Sequence, residues 1–189
     1  LKGNLAPEGC VIKTSGVIRE MWEHTGRAKV FDTEMDCFNA LNAGRIEPGD
    51  CIVIRYEGPV GGPGMREMLT ITNTMRALGL SSSVSLITDG RFSGGSVGGV
   101  IGHVAPEAAV GGLIGLVEDG DIIEYSIPRG TIELKVGEDV IAERRARWQP
   151  PKPRRIRGCL AKYAQMAASP IEGARMISDT ERKYREPLK

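Results

Sequence analysis

Residues 88–107, TDGRFSGGSVGGVIGHVAPE, concentrate the side chains that could do chemistry. Asp89 and Arg91 set opposite charges two residues apart. Ser93 adds a hydroxyl, and Gly94-Gly95, Gly98-Gly99 and Gly102 follow. Glycine lets a chain turn tightly and bring N–H groups close to a ligand, because no Cβ intervenes. The stretch therefore reads as an active-site loop. Ser93 is either a hydrogen-bonding residue or a reactive oxygen, and the second role needs a neighbour that ionises it. GRFSGG is not a GxSxG nucleophile elbow. His103 is the nearest candidate base, but Gly102 and Val104 beside it point to partial burial and a supporting role. Arg91 could clamp a carboxylate or phosphate with its planar fork, or pair with Asp89 and fix the loop.

A second glycine-rich loop, EGPVGGPG at residues 57–64, matches neither a dinucleotide fingerprint nor a P-loop. It is either a structural turn or a device that delivers Glu67 into a cleft. Residues 65–78 have apolar positions near helical spacing, which places Glu67 in a first helical turn. There the dipole favours a carboxylate, with or without a metal. A helix opening on this loop could also present N–H groups to an anion.

Other elements must position these loops. Residues 11–13, 28–31, 51–56 and 84–88 read as strands, the last two strongly apolar. Asp32 or Thr33 caps a helix over residues 35–42, which ends at Gly44. Residues 105–110 suggest a short helix. From Leu113 the pattern becomes all-β, with strands at 113–117, 122–127 and 131–136 and turns at Asp119-Gly120 and Arg129-Gly130. A charged helix over 137–147 runs into a stiff, basic, proline-rich connector, and a small amphipathic helix covers 159–168. Strands and helices do not alternate regularly enough for a Rossmann fold. The expected class is α+β, a barrel-like domain over residues 1–168 with a few peripheral helices. Residues 169–189 form a polar tail, flexible or docked on a partner.

The chain has 189 residues, 41% hydrophobic and 26% charged, as expected of one soluble globular domain. A net charge of +1 and 5% aromatics argue against nucleic acid. No apolar run is long enough to span a bilayer. Cys10, Cys37, Cys51 and Cys159 form no CxxC pair, which argues against a zinc or iron–sulfur site made by this chain alone. Free thiols in a reducing cytoplasm are the default.

GGPGMREM (61–68), TDGRFSGG (88–95) and GHVAPEA (102–108) resemble signature segments of the dihydroxy-acid and phosphogluconate dehydratase family. NLAPEGCVIKTSG (4–16) and DGDIIEYSIPRGTIEL (119–134) are similar as well. The resemblance covers the C-terminal part of such an enzyme. It implies a swivelling β/β/α domain that closes over a larger N-terminal domain, which holds an iron–sulfur cluster and most ligands of a Mg²⁺ ion. Ser93 matches the family's base, which removes the C2 proton of a 2,3-dihydroxy acid while the cluster acts as Lewis acid on the C3 hydroxyl. Glu67 matches the single metal ligand from this domain. Arg66 stands where the family often has proline. Arg91, Gly94 and Gly95 are expected to contact substrate. Asp89 and His103 are expected to support the reacting groups from behind. A homodimer is expected of the whole enzyme. Branched-chain dihydroxy acids, phosphogluconate and sugar acids are all substrates within the superfamily, and a non-catalytic swivelling module is the alternative reading.

Overall fold

The computed structural model describes residues 1–181. At its centre lies β3 (Cys51–Ile54), buried at all four positions. Cys51 and Val53 belong to one hydrophobic cluster, Ile52 and Ile54 to the other. A strand covered on both faces needs such a continuous apolar run. β2 (Glu23–Phe31) and β4 (Ser85–Thr88) flank it, both parallel to it. The parallel pairings need crossovers, supplied by α1 (Glu34–Asn42) and α2 (Leu69–Ala77). Cys37, Ala40 and Leu41 of α1 and Ile71 and Met75 of α2 bury against the same sheet face. Thr33 caps α1, its Oγ1 accepting from Asp36 N at 3.1 Å.

The next strand, β5 (Val100–Ala105), is also parallel to β4, yet no helix joins them. The glycine-rich stretch of residues 89–99 makes this crossover by itself. β1 (Gly9–Ile12) pairs antiparallel with β5, while β6 (Ile122–Ser126) and β7 (Thr131–Leu134) extend the far edge. The order is β1-β5-β4-β3-β2-β6-β7.

The sheet curls around its second cluster, which includes Cys10, Ala28, Ile87, Ile101, Ile123, Tyr125 and Ile132. Residues 1–4 join its edges. Leu1 exchanges backbone hydrogen bonds with Cys10, at 2.9 and 3.0 Å. Lys2 N donates to Gly130 O at 2.9 Å and Lys2 O accepts from Ile132 N at 3.0 Å. The Asn4 side-chain amide then pairs with the Leu134 backbone in both directions, at 2.9 and 2.7 Å. The α+β, barrel-like expectation therefore holds.

Three local expectations fail. Residues 113–117 are no strand: Leu113–Leu116 form a 3-10 turn, buried throughout. A short apolar run does not distinguish the two by periodicity. The helix expected from residue 65 begins at Leu69, because Met65 sits at φ +45° and residues 66–68 pair with the glycine loop instead. The region from β2 to β4 alternates strand and helix regularly, which the short elements concealed. α3 (Glu138–Arg147) is the charged helix expected, exposed along most of its length. Arg144 is buried in an ion pair with Asp121, at 2.5 and 3.0 Å, and also donates to Leu116 O. α4 (Cys159–Met166) follows the proline-rich connector. Of the expected tail, residues 182–189 lie outside the described residues, while Ile177 N donates to Met166 O at 2.8 Å and Ser169 Oγ to Glu8 at 2.7 Å.

The edge closure gives a test. A Cβ at Gly3 would stand 1.9 Å from Ile132 O. Gly3→Ala should push residues 1–4 off β7 and cost about 1–3 kcal/mol, as overpacking does. Urea unfolding measures this, and an unchanged midpoint would contradict the close contact.

Candidate active site

Because β3 and β4 are parallel, both glycine-rich loops leave the carboxyl ends of adjacent strands. In parallel sheets this is where ligands bind. The two loops are tied together by Asp89, which is fully buried. Its carboxylate accepts from Tyr56 N at 3.1 Å, Glu57 N at 2.9 Å and Ala108 N at 2.9 Å. Burial raises its pKa to about 6, although the three N–H donors and a nearby Glu57 pull in opposite directions. A second buried carboxylate, Glu107, accepts from Val60 N and Gly61 N, both at 2.8 Å. Burial raises it to about 7. A third, Glu57, pairs with Arg154 at 2.8 Å. The loop over residues 57–62 is thus suspended from acids that point inward.

Asp89 gives three of its acceptor sites to the Tyr56, Glu57 and Ala108 amides, and among the described residues it makes no ion pair with Arg91. Arg91 runs alongside residues 65–68. Its N donates to Arg66 O at 3.3 Å, its O accepts from Met68 N at 2.9 Å, and its Nε donates to Met65 O at 2.6 Å. Its Nη1 lies 4.0 Å from Glu67 Oε1, with both side chains nearly half exposed. Glu67 therefore sits on an extended bridge beside Arg91, ahead of the helix and outside its first turn.

Ser93 opens a tight turn. Its O accepts from Ser96 N at 3.0 Å and its Oγ from Gly95 N at 3.3 Å. An N–H aimed at the hydroxyl oxygen favours its ionised form. Gly94 and Gly95 are exposed, and a Cβ at Gly94 would meet open space. The Lys13 ammonium, just past β1, donates to Gly94 O. Gly98 N donates to Gly16 O at 2.8 Å, so residues 13–16 pack along this turn. His103 holds φ +57°, and its N donates to Gly90 O at 2.9 Å. Its ring lies 6.4 Å from that of Phe92. Burial, and then the charge of Arg91, lower its pKa, which keeps the ring neutral near pH 7. Among the described residues no hydrogen bond joins Ser93 to His103.

The structure thus brings Glu67 and Arg91 together, leaves Ser93 half-buried on its own turn beside the exposed Gly94 and Gly95, and sets Asp89 beneath as an anchor. Glu107 and Lys13 went unnoticed in the sequence. An acid inside the apolar stretch HVAPEAAV is a signal that could have flagged Glu107 as a buried group. Lys13 is far from Ser93 in sequence, and only the β1–β5 pairing brings them near.

The thiols do not fit an iron–sulfur cluster. Cys10, Cys37 and Cys51 are buried and pushed up to about 11, 12 and 11 by burial. Cys159 alone is exposed. Among the described residues no three His, Cys, Asp or Glu side chains are grouped to hold a metal. The exposed Glu67 carboxylate does suit a hard cation held mainly by other groups. No helix among the described residues is long and apolar enough to cross a membrane.

Residues 1–174 match the family model described as dihydroxy-acid/6-phosphogluconate dehydratase C-terminal, and the chain belongs to that family. Its similarity to particular members is high. A dihydroxy-acid dehydratase of Thermosynechococcus vestitus is 60% identical over 174 residues, covering 92% of this chain and 31% of that protein. Enzymes of the same name from Agathobacter rectalis and Moorella thermoacetica are 58% and 57% identical over the same length, with 31% and 32% of their chains covered. The chain spans about a third of the length of these curated relatives.

The buried acids predict a pH dependence. Asp89 and Glu107 bind protons more tightly folded than at their ordinary values of 3.8 and 4.5. Their contribution to stability is complete below those values and is lost as pH rises through about 6 and about 7. His24 and His103, both lowered from 6.5, act oppositely and cost stability as pH falls below that value. Glu107→Gln should flatten the decline in unfolding free energy between about pH 5 and about pH 8. Denaturant titrations across that range read the slope, and parallel curves for both proteins would contradict the assignment.

Proposed function

We propose that this chain is the part of a dihydroxy-acid dehydratase that supplies the base for dehydration, working with a larger N-terminal portion of the same enzyme. The observation that carries this reading is the Ser93 turn. Its hydroxyl oxygen accepts the Gly95 N–H, on the loop that leaves the carboxyl end of β4 through Arg91, which faces Glu67. High identity to proteins named dihydroxy-acid dehydratase supports the substrate class.

In this reaction Ser93 Oγ takes the proton from C2 of a 2,3-dihydroxy acid. The C2–H electron pair forms the C2=C3 bond as the C3 hydroxyl leaves with its own electron pair, and that hydroxide takes up one proton to become water, balancing the proton removed from C2. The enol gains a proton at C3 and loses one from its oxygen, giving the 2-keto acid. A serine hydroxyl is a weak base at neutral pH, so its surroundings must favour the alkoxide. The Gly95 N–H contributes to that. Glu67 would be this chain's ligand to a Mg²⁺ ion, and such an ion supplies positive charge that stabilises developing oxyanions. Arg91, with its backbone pinned by residues 66–68, would orient the substrate carboxylate together with Gly94 and Gly95. His103 and Asp89 hold the loop behind them. The cysteines here do not fit a cluster, so an iron–sulfur group would be held by the N-terminal portion. Free thiols agree with a cytoplasmic enzyme, and the full-length protein would be a homodimer.

In the full-length enzyme, Ser93→Ala should lower kcat by about 10²–10⁴-fold, the span of general-base catalysis, with an unchanged unfolding transition. Release of 2-keto acid from 2,3-dihydroxy-isovalerate, phosphogluconate and a sugar acid measures the effect and ranks the substrates. Substantial turnover by the variant would remove Ser93 from the role of base. The present chain alone should release no 2-keto acid.

A further inference from the structure

A cation from outside the loop meets the Ser93 turn. Lys13 leaves the end of β1 and donates its ammonium N–H to the carbonyl oxygen of Gly94, the residue that follows the serine. The contact is built into the fold. β1 pairs with β5 along Val11↔Gly102 and Ile12↔Ile101, which fixes where Lys13 emerges. Gly16 O then accepts from Gly98 N at 2.8 Å. A Cβ on Gly16 would stand 2.7 Å from Ser96 O. Residues 13–16 and 93–98 are therefore packed backbone to backbone, with the lysine chain laid across the serine turn.

The other charged and titratable groups on the packed segments are committed elsewhere. Arg91 gives its Nε to Met65 O and faces Glu67. His103 on β5 is favoured as the neutral ring, and its side chain neighbours Phe92. The remaining cation at the turn is Lys13.

We propose that Lys13 is a positioning residue for the base: it holds the Ser93–Ser96 turn through the Gly94 carbonyl and supplies the positive charge that biases Ser93 toward its ionised form. A carbonyl-bound ammonium keeps its full charge and adds a field favouring a nearby oxyanion over the neutral hydroxyl. Lysine suits this place because its charge is compact and its stem long enough to cross from one strand end to a neighbouring loop. The proton stays on the ammonium, so the step at C2 is unchanged. The inference rests on the assignment of Ser93 as base.

Two variants of the full-length enzyme test it, with Ser93→Ala measured in parallel. Lys13→Gln keeps a donor and removes the charge, while Lys13→Arg keeps both. The expected result is a kcat lowered by about tenfold or more in Lys13→Gln, with KM within about threefold of wild type. The acidic limb of its kcat–pH profile should move up by about one unit, since a weaker field raises the pKa of the serine. Lys13→Arg should stay within about threefold of wild type, with an unmoved limb. Equal losses in both variants would overturn the proposal. So would a rise in KM alone, which marks a substrate clamp, or a lowered melting temperature with kcat and pH profile intact, which marks a purely structural tie. An inactive Ser93→Ala beside a fully active Lys13→Gln defeats the lysine inference alone. An active Ser93→Ala defeats the assignment of the base.

Discussion

The buried carboxylate of Asp89 holds the site end of this domain together. It lies at the exit of β4 and receives three backbone N–H groups from two other segments, at Tyr56, Glu57 and Ala108. Unpaired, each of those amides would be a buried donor with a desolvation cost of about 1–3 kcal/mol. An aspartate is short enough to reach all three and, when ionised, has only acceptor sites to offer. Glu107 repeats the arrangement one layer out, gathering Val60 and Gly61. Inward-pointing acids therefore shape the loops, and the exposed pair Glu67 and Arg91 remains available to a ligand. Burial separates the two sets of charges. Carboxylates at 0% and 3% exposure organise backbone, while one on an exposed bridge can meet a metal or a substrate.

Much of the frame was legible in the sequence. CIVI and the apolar run into Thr88 announced the central strands, and Thr33 announced the start of α1. What escaped was tertiary in origin. The periodicity from Met65 onward is real as far as burial goes, since Met65 and Met68 are both buried. Met68 packs with Ile71 and Met75 while its backbone bonds Arg91, and a hydrophobic pattern cannot reveal which backbone takes the hydrogen bonds. Leu113–Leu116 read as a strand because an apolar run looks the same in any fully buried conformation. Arg91 beside Asp89 looked like a local pair, and only the structure shows that Asp89 binds three amides instead. The serine loop was legible by composition. Its neighbour Lys13 was not, because the two meet through a strand pairing between residues some 90 apart in the chain.

On the proposed reading this domain carries half a site. One hydroxyl, one carboxylate, one guanidinium and one ammonium lie on or against the two glycine-rich loops, while Cys10, Cys37 and Cys51 are buried. Chemistry of the proposed kind divides accordingly. Proton abstraction and orientation belong to the loops described here, and groups that assist the leaving hydroxyl belong to a surface this domain would face. Such a division makes docking part of catalysis, since the base is useful only when the other half is in register.

The β4–β5 connection has a further consequence. A crossover between adjacent parallel strands is ordinarily a helix that can be lengthened, trimmed or replaced without touching the sheet. In this domain the reactive loop is itself the crossover, so its path is constrained at both ends by strand register. The registers of β4 and β5 set both ends of that path, and the β1–β5 register sets the point from which Lys13 meets it, so a single run of backbone serves at once as connection and as site.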